Sequence, residues 1–83
     1  MTRYRPHRSL LADSMRKVIE VNDLAQLVRH MRREVASWYP KDELPTEDNT
    51  KIEPYGRDDR IGWDTYIVLV DGKAWGFTDG PLK

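Results

Sequence analysis

"YIVLVDGKAWGFT", residues 66–78, decides how this chain must fold. Asp71-Gly72 stands between two apolar runs. A two-residue turn of type I′ needs positive φ at both central positions, and Asp-Gly tolerates this well. The stretch is therefore expected to be a β-hairpin, residues 66–70 against 73–78, with its register set by the turn. Val70 is predicted opposite Lys73, Leu69 opposite Ala74, Val68 opposite Trp75, Ile67 opposite Gly76, and Tyr66 opposite Phe77. Cross-strand partners share a face. One face should then carry Tyr66, Val68, Trp75 and Phe77, and the other Ile67, Leu69, Ala74 and Gly76. Both are apolar, so both need cover.

Upstream, "TKIEPY" (50–55) has strand character, but Pro54 cannot donate to a ladder and confines it to a sheet edge or end. Residues 56–62 form a longer connection, and 40–50 a polar, acidic surface loop. The segment 16–21 (RKVIEV) has the β-branched content of a short strand. Between these lies an amphipathic helix. Asn22 or Asp23 supplies an N-cap, and Gln26 three residues beyond Asp23 approximates a capping box. Leu24, Leu27, Val28, Met31, Val35, Trp38 and Tyr39 recur at helical spacing over an arc of about 120°. Pro40 is expected to end the helix. Residues 1–8 (MTRYRPHR) have no periodicity of their own and suggest a basic, flexible arm, followed by a short turn capped by Ser9.

The expected fold is α+β in the order β-α-β-β-β: one amphipathic helix on a small, mostly antiparallel sheet ending in a β-hairpin, as a single domain. The smoother hairpin face (Ile67, Leu69, Ala74, Gly76) suits close approach of the helix. The aromatic face is then left for the N-terminal segment, the 56–63 loop or another molecule to cover.

Composition narrows function. A chain of 83 residues buries only roughly 60% of the surface its unfolded form exposes, so most large aromatics are needed in the core. Fourteen basic and 14 acidic side chains cancel. A neutral domain lacks the global field of a non-specific nucleic-acid binder and the self-repulsion that opposes association. There is no cysteine, which excludes thiolate chemistry and disulfides within these residues. No apolar run approaches the ~20 residues of a membrane span. A cytoplasmic location is the expectation.

Catalytic patterns are weak. Asp58, Asp59 and Asp64 lie close in sequence but lack the spacing of an EF-hand loop. Surface carboxylates facing Arg57 and Arg60 are the plainer reading. His7 and His30 have no ligand-spaced companion. No Gly-x-Ser-x-Gly elbow occurs, and "GKAWGFTDG" (72–80) lacks the Gly-Lys-Ser/Thr ending of a phosphate loop. The chain is expected to be no enzyme, to take no cofactor or metal and to have no small-molecule substrate.

Two binding surfaces remain. The first is an aromatic cluster with its loop, Tyr55, Arg60, Trp63, Tyr66 and Trp75, suited to a protein partner or a second copy of the chain. The alternative is a basic patch for nucleic acid, formed if the arm (Arg3, Arg5, Arg8) lies along the helix face bearing Arg29, Arg32 and Arg33.

Four blocks, "YRPHRSLLADSM" (4–15), "KIEPYG" (51–56), "RIGWDTYIV" (60–68) and "DGKAWGFTDG" (71–80), resemble those of a family of small bacterial and prophage-encoded proteins with no established activity. They cover about half the chain. Relatives carry Gly in place of Ser9, a departure that bears on the first turn. The resemblance implies a small α+β protein of phage origin and assigns no catalytic residue.

Overall fold

The computed structural model describes residues 2–7, 17–37, 39–58 and 63–82. Strand β1 (Thr2–Pro6) is followed by β2 (Ile19–Val21) and helix α1 (Leu24–Val35). A short 3-10 turn (Lys41–Glu43) leads to β3 (Thr50–Asp58), β4 (Trp63–Val70) and β5 (Lys73–Thr78). The strands form one five-stranded sheet in the order β2-β1-β5-β4-β3, antiparallel at every pairing. From β2 onward the order is the expected β-α-β-β-β. Among the described residues, no helix is long and apolar enough to cross a membrane.

The N-terminus departs from expectation. The stretch read as a flexible arm holds a strand, inserted between β2 and β5. Thr2, Tyr4 and Pro6 alternate with Arg3 and Arg5, and that period of two places the arginines opposite Tyr4, which is 1% exposed. The pattern is invisible in isolation because Tyr4 is its one large apolar residue. Edge behaviour follows expectation at the other side: Pro54 lies on β3, the edge strand, and a bulge follows it at Gly56, whose φ is +108°.

The hairpin departs from its expected register. Its turn forms as expected, with Asp71 at φ 50° and Gly72 at φ 78°, and Val70 pairs with Lys73 and Leu69 with Ala74. The register then slips. Val68 pairs with Gly76, Ile67 with Phe77 and Tyr66 with Thr78, leaving Trp75 as the additional residue of a bulge. Phe77 therefore moves to the face of Ile67 and Leu69, while Trp75 and Gly76 are both buried.

Helix α1 covers the other face from the one expected. Leu27, Val28, Met31 and Val35 pack with Tyr4, Val21, Val68, Val70 and Trp75 in one core, closed at its end by Leu44. The helix start follows the sequence closely. The Asp23 carboxylate accepts from the Gln26 N–H at 2.8 Å, and the Gln26 side chain accepts from the Asn22 N–H at 2.8 Å. Its end comes earlier than Pro40 requires, at Val35. Beyond that end the Tyr39 N–H still donates to the Val35 carbonyl at 3.0 Å, and the Tyr39 ring lies against Trp75, with centroids 5.2 Å apart. The 40–50 loop is less superficial than expected, because Leu44 and Pro45 are buried and Arg32 donates to the Pro45 carbonyl at 2.8 Å.

Tyr4 joins the layers. Its ring packs against Gly76, so closely that a Cβ there would stand 2.5 Å from Tyr4 Cε1 and 2.6 Å from the Arg5 carbonyl. Its hydroxyl donates to the Trp75 carbonyl at 3.1 Å. On the helix side its ring meets His30 edge-on at 6.1 Å, and His30 abuts Glu34 one turn further along α1. Burial, with a smaller contribution from the Glu34 charge, pushes the Tyr4 phenol far above the ordinary tyrosine value.

Gly76→Ala is expected to cost about 1–3 kcal/mol, because backbone and ring both block the added methyl; equilibrium urea unfolding measures it. The raised Tyr4 phenol gives a second expectation. The folded state keeps a proton that the unfolded state loses near pH ~10, so this contribution is complete below that pH and falls away above it. Stability followed from neutral to alkaline pH should decline above pH ~10, and the decline should be shallower in Tyr4→Phe.

Candidate interaction surface

Each strand presents alternate residues to the face opposite α1. Strand β1 gives Arg3 and Arg5, with His7 just beyond; β5 gives Phe77 and Ala74; β4 gives Thr65, Ile67 and Leu69; β3 gives Lys51, Glu53 and Tyr55. Among the described residues, no helix or strand packs over them. The five strands thus have a helix on one face and, on the other, an apolar centre in a charged frame.

Three rings cross the middle of this face. Phe77 lies between His7, at a centroid distance of 6.0 Å, and Tyr55, at 5.3 Å. Tyr55 spans β4 to reach Phe77, and Thr65, on β4 of the same face, is only 3% exposed. The Thr65 hydroxyl donates to the Gly56 carbonyl, which ties the β3 bulge to β4. Tyr55 itself remains 56% exposed. Ile67, Leu69, Ala74 and Phe77 are half-buried, packed against one another with no further layer over them among the described residues.

The charges are of both signs. Arg3 donates from its backbone N–H and its Nε to the two Asp79 oxygens at 2.8 and 2.6 Å. Partial burial acts to raise the Asp79 carboxyl, but the hydrogen bonds and charge of Arg3 outweigh it and hold the group below its usual value. This clamp joins the first strand to the residue after the last. Arg5 shares its row with Phe77, Ile67 and Glu53, while Glu20 lies opposite Arg3 on β2.

The residues expected to form an aromatic site are dispersed. Tyr55 lies on the open face. Trp75 is 2% exposed within the core, against Tyr39. Tyr66 shares the helix-side face with Val68 and is half-buried. Trp63 begins β4 opposite Asp58; its side chain and all of Arg60 lie outside the described residues. The basic patch is divided as well. Arg3 and Arg5 project from the open face, whereas Arg29, Arg32 and Arg33 are exposed on α1, with the sheet between the two sets. Arg8 lies outside the described residues.

Asp64 is exposed on β4, while Asp59 and the Asp58 side chain also lie outside. Among the described residues, no three His, Cys, Asp or Glu side chains stand close enough to hold a metal ion. A cavity of about 90 Å³ opens between Tyr39, Glu43, Val70, Asp71, Lys73 and Trp75, well below the roughly 300 Å³ at which small-molecule pockets begin.

Sequence reasoning missed His7, Phe77 and the Ile67–Leu69 pair as members of one surface. The alternation in residues 2–7 was available as a signal. The bulge at Trp75, which brings Phe77 to this face, was not. No protein-family model, curated protein or solved structure matches this chain.

The two tryptophan-and-phenylalanine positions should respond very differently. Trp75→Ala is expected to cost about 3–5 kcal/mol. Phe77→Ser, removing ring contacts on a face that no described helix or strand covers, should cost about 0.5–1.5 kcal/mol. Parallel denaturant titrations of the two variants compare them.

Proposed function

We propose that this chain is a non-enzymatic protein-interaction module that docks a protein partner on the open face of its sheet. The observation that carries the reading is the row His7–Phe77–Tyr55, set beside Ile67, Leu69 and Ala74 on a face with no second layer among the described residues. Protein interfaces have this anatomy: an apolar, aromatic centre framed by charged groups, with Tyr and Arg as frequent anchors.

Nucleic acid is the less favoured occupant. Single-strand binders pair stacking rings with a continuous cationic track. On this face Arg3 is clamped by Asp79, and Glu20 and Glu53 interrupt the positive charge. Tyr55 and Phe77 also meet at 58° to one another, so no base can lie parallel to both rings at once.

A photo-reactive phenylalanine analogue placed at Tyr55 tests the reading in the cells that express the protein. Discrete covalent adducts are expected, and they should vanish on adding Phe77→Asp, while the same analogue at Arg29 on α1 yields none. Adducts at Arg29 but not at Tyr55 would overturn the assignment. Retention on single-stranded DNA at low salt, lost in Phe77→Asp and falling steeply as salt rises, would transfer the face to nucleic acid.

A further inference from the structure

We propose that the protein seated on this face is a second copy of the same chain, in a two-fold sheet-on-sheet dimer. This rests on the reading of the open face as a protein-docking surface and adds the identity of the occupant. The observation behind it is the order of residues along one row of the sheet. Arg5 pairs with Phe77, Phe77 with Ile67, and Ile67 with Glu53. Positive charge, ring, aliphatic chain and negative charge thus follow one another across β1, β5, β4 and β3. Arg5 and Glu53 stand three strand spacings apart, roughly 14 Å at about 4.8 Å per strand.

A two-fold axis lying parallel to the strands, midway between β5 and β4, maps this row onto itself reversed. It places β1 over β3 of the second copy and β5 over its β4. Arg5 then faces Glu53 of the second copy, and Glu53 faces its Arg5, so the ion pair forms twice. Phe77 lies over Ile67 of the second copy, and Ile67 over its Phe77. In the neighbouring rows the same axis sets Leu69 over Ala74, and Arg3 over the exposed Tyr55 ring, an arrangement that favours cation–π contact. Lys51 falls opposite His7, a pairing that gains nothing.

Isologous interfaces require this self-complementarity, and two sheets stacked with strands aligned to within about 30° are a common way to build it. The orientation is also selective. An axis across the strands would bring Arg5 onto Arg5 and Glu53 onto Glu53, and like charges so placed are costly. The chain as a whole is neutral, so no net repulsion opposes the pairing.

Sedimentation velocity on the full chain tests this by charge reversal. The wild-type chain should sediment as a dimer of the 9.8 kDa protomer. R5E alone and E53R alone should each associate at least about tenfold more weakly, because each sets like charges together twice. An equimolar mixture of the two should recover the dimer, since each copy then offers what the other lacks at both ends of the row. The double variant R5E/E53R, whose row is merely reversed, should dimerise by itself. A misfolded variant could not give the recovery in the mixture.

A monomeric wild-type chain, or single reversals that leave dimerisation unchanged, would overturn the second copy as the occupant. A monomer whose Tyr55 adducts contain a different protein would overturn this inference alone and leave the docking reading standing. A monomer with no Tyr55 adducts would overturn both.

Discussion

The seating of the Tyr4 ring on Gly76 governs the arrangement of every other element. It needs a bare backbone on β5, a strand bulged so that Trp75 and Gly76 are both buried, and a β1 close enough for a phenol to pack against its neighbour. Each requirement supports the others. The Trp75 carbonyl, held outward from regular pairing by the bulge, accepts both the Tyr4 hydroxyl at 3.1 Å and the His7 N–H at 2.8 Å. Two partners offset the cost of burying this carbonyl. The strand that supplies both donors is thereby fixed in the middle of the sheet, and Arg3, clamped to Asp79, fastens its outer end.

That anchoring explains why the helix takes the face it does. With Tyr4, Trp75, Val68 and Val70 all directed to one side, the apolar stripe of α1 meets a surface already rich in large side chains. Among the described residues α1 is the one amphipathic helix, and it lies where most apolar area can be buried. The remaining face keeps smaller aliphatic residues, one phenylalanine and a half-exposed tyrosine. Among the described residues these form one contiguous apolar strip, too small to make a second core.

Strand order turns this remainder into a patterned surface. Because β1 enters between β2 and β5, its arginines stand three strands from Glu53 instead of trailing from an arm. Charge that is unremarkable in the sequence thereby acquires a direction across the sheet. The α1 arginines, which looked like partners for the N-terminal ones, are separated from them by the sheet itself. The sheet edges are guarded: β3 carries Pro54 and a bulge at Gly56, and β2 has only three residues.

Local chemistry alone determined much of the fold. Asp71-Gly72 dictated the turn because few other residue pairs accept positive φ twice, and Asp23 with Gln26 dictated the helix start because the first amide groups need acceptors. The spacing of Leu27, Val28, Met31 and Val35 marked the buried helix face, and Pro54 placed its strand at an edge. The surface was another matter. Whether Phe77 shares a face with Trp75 or with Ile67 turns on one extra residue in β5. That bulge is stabilised by a tyrosine 71 positions away, an interaction with no trace in the local pattern. Whether Arg3 and Arg5 belong to an arm or a sheet likewise depends on the strand they pair with. Periodicity reports which residues alternate, but only the partners fix which side is in and which is out.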